Sequence, residues 1–120
     1  MKLDLITVRT SAFEEEVAFY RDIVKLQIVR ELNEDDLHII FLSDGEGEPC
    51  IEVIRDEEAQ LSGNPYLSIC FCTSDAERLR NTLLDLGYDA TPVESPAAEV
   101  QFFFVKDPAG VRVQFTEHTR

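Results

Sequence analysis

Thr10-Ser11-Ala12-Phe13-Glu14 returns 63 positions later as Thr73-Ser74-Asp75-Ala76-Glu77, and at the same offset Ile6 meets Ile69, Asp22 meets Asp85 and Glu31 meets Glu94. Further along, the offset drops to 62. Phe41 then meets Phe103, Ile51 meets Val113 and Val53 meets Phe115, as though the second copy had lost one loop residue. The chain therefore reads as one unit written twice. Paired half-modules of this kind are expected to face one another across a cleft, where any function would sit.

Each copy opens on a strand and turns into a helix. Leu3 to Arg9 alternates as a strand, and Ser11 followed by Glu14 reads as a capping box. Phe13, Val17, Tyr20 and Val24 repeat at helical spacing, leaving Glu15, Glu16, Asp22 and Lys25 to water. Strands are expected at Gln27 to Glu31, His38 to Leu42 and Cys50 to Arg55, the last two joined by the turn Asp44-Gly45-Glu46-Gly47-Glu48-Pro49. In the second copy Tyr66 to Thr73 is the opening strand, with Ser74 and Glu77 as the cap. Ala76, Leu79, Leu83 and Leu86 mark the buried helix side, and Gly87 is the stop. Strands at Ala90 to Glu94, Val100 to Lys106 and Val111 to Glu117 follow, the last pair turning at Asp107-Pro108-Ala109-Gly110. The expectation is an α+β fold of two β-α-β-β-β modules forming a curved mixed sheet. It makes a single domain, with module one at 1–55, a linker at 56–65 and module two at 66–120.

Acidic residues outnumber basic ones by 24 to 11, for a net charge of −13, which argues against a nucleic-acid partner because the basic stripe such binders use is missing. No apolar run is long enough to span a bilayer, so a membrane partner is not expected either. Cys50, Cys70 and Cys72 are odd in number and lack Cys-x-x-Cys spacing, which suits a reducing, cytoplasmic home.

The helix phrase Ala18-Phe19-Tyr20-Arg21-Asp22, the turn Asp107-Pro108-Ala109-Gly110 and the duplicated order together resemble the vicinal oxygen chelate superfamily. That group includes glyoxalase I, extradiol dioxygenases, epimerases and bleomycin-resistance binding proteins. Lys25 departs from it, standing where the family often has glycine after the helix. In metal-dependent members four ligands, usually His, Glu, His and Glu, come from the opening and closing strands of each module. The resemblance puts these positions on Leu5, Glu52, Ser68 and Gln114. Only Glu52 is a conventional ligand. A transition metal needs several charged or imidazole donors, and the neutral Ser68 and Gln114 recover little of the roughly 10–16 kcal/mol that a good structural zinc site supplies. The expectation is no metal and no other cofactor.

Strand alternation places Leu5, Thr7 and Arg9; Cys50, Glu52 and Ile54; Ser68, Cys70 and Cys72; and Arg112, Gln114 and Thr116 on one face. Thr7, Arg9, Cys50, Glu52, Ser68, Cys70, Cys72, Arg112 and Gln114 are thus the candidate ligand-binding residues. Glu52 is either held ionised by Arg9 or Arg112 or acts as a general base or as an anchor for a cationic or hydroxyl-bearing ligand. The cysteines are read as packing residues with soft-metal or covalent chemistry as the alternative, and His38 and His118 as exposed or edge positions. Phe103 must face opposite to Phe102 and Phe104, one side packing under a helix.

Three function classes follow, the last an interaction or regulatory module that keeps the fold without small-molecule chemistry. The first is a metal-free small-molecule-binding protein of the glyoxalase/bleomycin-resistance type, acting as a homodimer. The second is an enzyme, a lactoylglutathione-lyase-like lyase or a dioxygenase, with an atypical metal site that includes Glu52.

Overall fold

Two mixed sheets of four strands carry the chain, one in each of the units Met1–Leu61 and Ser62–Arg120. The computed structural model describes residues 1–45, 48–60 and 63–118. The expected turn residues Glu46 and Gly47 and the linker residues Leu61 and Ser62 lie outside them.

In the first unit β1 (Ile6–Thr10) leads into α1 (Phe13–Ala18), which continues as one π-helical turn over Phe19–Ile23. β2 (Gln27–Glu34), β3 (Leu37–Ser43) and β4 (Ile51–Arg55) follow, and the sheet order is β1-β4-β3-β2. β1 and β4 are parallel, with Thr7 opposite Glu52 and Arg9 opposite Ile54. A parallel pair cannot be joined by a tight turn, so the intervening helix and hairpin supply the crossover. The helix covers one face. Val8, Ile40, Leu42, Ile51 and Val53 are buried there with Phe13, Val17, Phe19 and Tyr20.

The first helix departs from its expected form at both ends. No capping box forms: Ser11 donates to the Ala59 carbonyl, Glu14 pairs with Arg55, and no side chain caps the helix. The repeated threonine makes the turn instead, its Thr10 Oγ1 accepting from the Ala12 N–H at 2.9 Å. Glu16 is buried rather than exposed, because Phe13, Glu16, Val17 and Tyr20 stand at i, i+3, i+4 and i+7 and share one stripe. Beyond Tyr20 the ladder widens, Val24 N–H reaching the Phe19 carbonyl and Leu26 N–H the Tyr20 carbonyl, and Lys25 ends the helix at φ +70°.

The second unit repeats the order with β5 (Ile69–Cys72), α2 (Ala76–Asp85), β6 (Glu94–Ala97), β7 (Val100–Lys106) and β8 (Arg112–His118), arranged β5-β8-β7-β6. Here Asp75, not Ser74, is the N-cap, accepting from Arg78 N–H, and Glu117 of β8 accepts from Ala76 N–H at 2.8 Å. Gly87 stops the helix at φ +93°, as its sequence position suggests. The sixth strand begins where Ala90 to Glu94 was expected to end, because the Thr91 N–H and hydroxyl bind the Phe104 backbone outside the ladder. Ala76, Leu83, Phe103, Val105, Val113 and Phe115 form the core under α2. The last hairpin turns as read: Asp107 accepts from Ala109 and Val111 N–H groups, and Gly110 N–H reaches the Asp107 carbonyl.

Register corrects one part of the repeat. Phe41 lies opposite Glu52 and Phe104 opposite Gln114, so Phe41 corresponds to Phe104 and the offset in these strands is 63. Pairing Phe41 with Phe103 would slip the strand by one residue and turn every side chain to the other face. The residue is lost in the hairpin turn after β7.

Candidate functional site: the open sheet faces

Each sheet has one face under its helix and one face away from it. In the first unit the second face carries Thr7 and Arg9 from β1, Glu52 and Ile54 from β4, Ile39 and Phe41 from β3, and Arg30 and Leu32 from β2, all set by direct cross-strand register. Thr7 Oγ1 donates to Glu52 Oε1 at 2.6 Å, a short charge-assisted bond. The Arg30 guanidinium lies 5.4 Å from the Phe41 ring centre. Within the first unit the expected ion pair of Glu52 with Arg9 is therefore replaced by a hydroxyl. Arg9 turns instead towards Asp56 at 3.9 Å, because that acid follows directly on the parallel neighbour β4.

The corresponding face of the second unit has different chemistry. Cys70 Sγ lies 3.1 Å from Thr116 Oγ1, and Gln114 Nε2 donates to the same hydroxyl at 3.1 Å. Cys72 stands opposite Thr116 in the register. Phe102 and Phe104 meet edge to face at 5.7 Å, while Phe103 packs under α2 against Phe115, as alternation required. Arg112 is held on two sides. Its guanidinium carbon sits 3.8 Å over the Phe104 ring, and Nη1 donates to the Pro65 carbonyl at 2.6 Å.

A cavity of about 490 Å³ opens beside this arginine, walled by Gly63, Pro65, Thr91, Phe104, Lys106 and Arg112 among others. Neither Lys106 nor Pro65 was singled out from sequence. Lys106 is set beside Arg112 by the β7–β8 register, while the place of Pro65 depends on the segment before β5 folding back over the hairpin turn, which no short-range pattern announces. A second, more polar hollow of about 570 Å³ lies in the first unit, with Arg9, Asp35, Asp36 and His38 on its wall. His38, expected at an exposed or edge position, is half-buried: its ring centre lies 4.5 Å from that of Phe13, the two rings tilted by 39°, and its Nε2 is 2.7 Å from Glu31. His118 is exposed.

The cysteines divide. Cys70 and Cys72 are exposed on β5, while Cys50 is half-buried beside the β3–β4 turn, where burial and then the Asp44 carboxylate push its thiol pKa up. Among the described residues, no three His, Cys, Asp or Glu side chains form a group able to hold a metal ion. At the four positions the resemblance assigns to metal ligands, Leu5 has no donor, Glu52 already accepts a hydroxyl, and Ser68 and Gln114 are neutral. Such a donor set does not fit a catalytic transition metal.

The profile of the Glyoxalase/Bleomycin resistance protein/Dioxygenase superfamily matches residues 2–115, and the chain belongs to that superfamily. No curated protein sequence matches it. Solved structures share the fold at low identity. The genomically encoded fosfomycin resistance protein FosX from Listeria monocytogenes is 16% identical at a TM-score of 0.79, the match covering 99% of this chain and 94% of that one. The trypanothione-dependent glyoxalase I of Leishmania major is 14% identical at 0.78, with 98% and 86% covered. An antibiotic-binding protein from a Streptomyces species is 12% identical at 0.71, with 99% and 97% covered. No helix of the described residues is long and apolar enough to cross a membrane.

Proposed function

We propose that this chain is a small-molecule-binding protein of the glyoxalase/bleomycin-resistance type that works without a catalytic metal. The observation that carries this reading is the donor set Leu5, Glu52, Ser68 and Gln114, which leaves a single charged ligand. Partly exposed, Glu52 keeps acceptor capacity after the Thr7 hydroxyl has bound it, so it can orient a ligand hydroxyl or ammonium. Each unit carries its own guanidinium and aromatic pair, Arg30/Phe41 in the first and Arg112/Phe104 in the second, as flat, partly apolar surface for a ring. The antibiotic-binding neighbour offers a precedent for binding on this fold, and fold alone assigns no activity.

The first test is elemental analysis of protein purified without chelator or affinity-tag metal, for wild type and Glu52→Ala. The expected result is no stoichiometric metal in either. Near one metal per chain in wild type, lost in the variant, would sink the reading in favour of a lyase or dioxygenase. Thermal-shift screening of wild type against small molecules, cationic glycopeptides and aromatic antibiotics included, should then find compounds that raise Tm. A broad screen with no shift would remove small-molecule binding itself.

The same reading includes a cytoplasmic homodimer. It is supported by the three free thiols and by β2, an edge strand eight residues long that leaves Ile28 and Val29 exposed. Light scattering on the eluted peak of a sizing column should give twice the chain mass; one chain mass would overturn this part.

A further inference from the structure

Lys106 and Arg112 are direct cross-strand partners at the end of the β7–β8 hairpin, so their side chains leave the same face side by side. Like charges directly opposite in an antiparallel pair destabilise it. Among the described residues neither makes an ion pair, although acidic residues outnumber basic ones by 24 to 11. Asp89 lines the same cavity without pairing to either.

The geometry around Arg112 is fixed before any ligand arrives. Phe104 supports the guanidinium from below and Pro65 holds one of its N–H groups. Of the five donors of an arginine fork, the Pro65 carbonyl takes one. Pro65 is brought there by a close backbone approach: a Cβ on Gly63 would lie 2.1 Å from the Gly110 carbonyl oxygen, so only glycine lets the segment pass the turn. A preorganised fork next to a free ammonium suits a carboxylate, and the Phe104 and Pro65 walls suit an apolar ring. The volume of about 490 Å³ lies within the usual range for small-molecule pockets.

We infer that this cavity of the second unit binds an aromatic carboxylate, with Arg112 and Lys106 on the carboxylate and the ring against the Phe104–Pro65 wall. The inference rests on the small-molecule reading above and names the ligand class for one part of it. Against the repulsive field of a chain of net charge −13, the two local cations are what make an anion acceptable.

The test is calorimetric titration with naphthalene-2-carboxylate, its carboxamide and its carboxamidine, three probes of one shape and different charge, with inorganic phosphate as an anion without a ring. The carboxylate should bind about tenfold or more tightly than the carboxamide, and phosphate and the amidine more weakly still. Arg112→Gln should weaken the carboxylate about tenfold, Lys106→Gln a few-fold, and Arg112→Lys, which keeps the charge and loses the flat fork, by an intermediate factor. Circular dichroism of each variant checks the fold, and Lys106→Gln, at an exposed position, keeps the test open if Arg112→Gln fails to fold. Equal binding of the amide or amidine, undiminished carboxylate binding in the folded variants, or no binding by any probe would each overturn the assignment. Binding by neutral or cationic compounds in the broad screen would leave the small-molecule reading standing while this one falls.

Discussion

The two units stop their helices at the same place by different means. In the second, Leu83 and Tyr88 are joined by the capping hydrogen bond, and the left-handed residue after the helix is Gly87 at φ +93°. In the first, Tyr20 and Leu26 are joined the same way across one residue more, and the left-handed position falls to Lys25 at φ +70°. The π-helical turn over Phe19–Ile23 accommodates the extra residue. So the offset drops to 62 at the helix end, stands at 63 again in β3 and β7, and drops once more across the hairpin. Topology survives each change because the parallel and antiparallel registers are kept. The open faces share no such constraint: a hydroxyl–carboxylate pair in one unit stands where a thiol, a hydroxyl and an amide stand in the other. Duplication preserves what the core requires and leaves the binding face free to differ.

The widest expected difference between corresponding strands is that between their two faces. Phe103 is fully buried under α2, and Phe103→Ala should cost about 3–5 kcal/mol in urea or thermal unfolding. Phe41, half-exposed on the open face of β3, should cost about 1–2 kcal/mol on truncation. Were Phe103 and Phe41 true counterparts, as the plain sequence offset suggests, the two losses would match. Similar values in both variants would break the register argument.

This case shows which parts of the fold can be read from sequence. The α+β class, the order of strands and helices and the alternation of Phe102, Phe103 and Phe104 were legible, because periodicity is a local property and the core enforces it. The Gly87 stop and the Asp107–Gly110 turn were legible because positive φ and an Asp-anchored turn demand particular residues. The helix caps are not legible locally, because the Ser11 hydroxyl goes to the distant Ala59 carbonyl and Glu117 of β8 shares the start of α2 with Asp75 by accepting from the Ala76 N–H. Charge alone suggests an arginine partner for Glu52, whereas the parallel register puts the Thr7 hydroxyl directly opposite it. Pro65 needs tertiary structure, because its contact with Arg112 spans more than forty residues and leaves no local trace.

Exchanging the two helix stops comes next in size. Gly87 has open space where a Cβ would stand, so Gly87→Lys should lose about 1–2 kcal/mol from backbone strain alone. Lys25→Gly should gain about 0.5–1 kcal/mol, the relief of strain being partly offset by the greater freedom of an unfolded glycine. A loss of stability in Lys25→Gly would mean that the lysine side chain contributes more than its conformation costs.

The helix starts should differ more modestly. Asp75→Ala removes a working N-cap and should cost about 1 kcal/mol. Ser11→Ala should stay within about 0.5 kcal/mol, since its hydroxyl makes only an exposed bond to the Ala59 carbonyl. Equal costs would restore the capping box to the first helix.

The thiols give the smallest effect on stability and a direct view of the contrast. Burial, followed by the nearby Asp44 carboxylate, raises the Cys50 pKa, so at pH 8 less of it is thiolate than in the unfolded chain. A folded pKa above the unfolded one favours the native state fully below the ordinary thiol range, and that contribution is lost as pH rises through the folded value. Stability should therefore fall slightly on the alkaline side, and Cys50→Ser should flatten that part of the profile. In native protein at pH 8, iodoacetamide should label the exposed Cys70 and Cys72 several-fold faster than Cys50, as read by peptide mass spectrometry. If Cys50 labels first, the β3–β4 turn opens far enough to strip both burial and the Asp44 field from the thiol, and the first unit is the looser of the two.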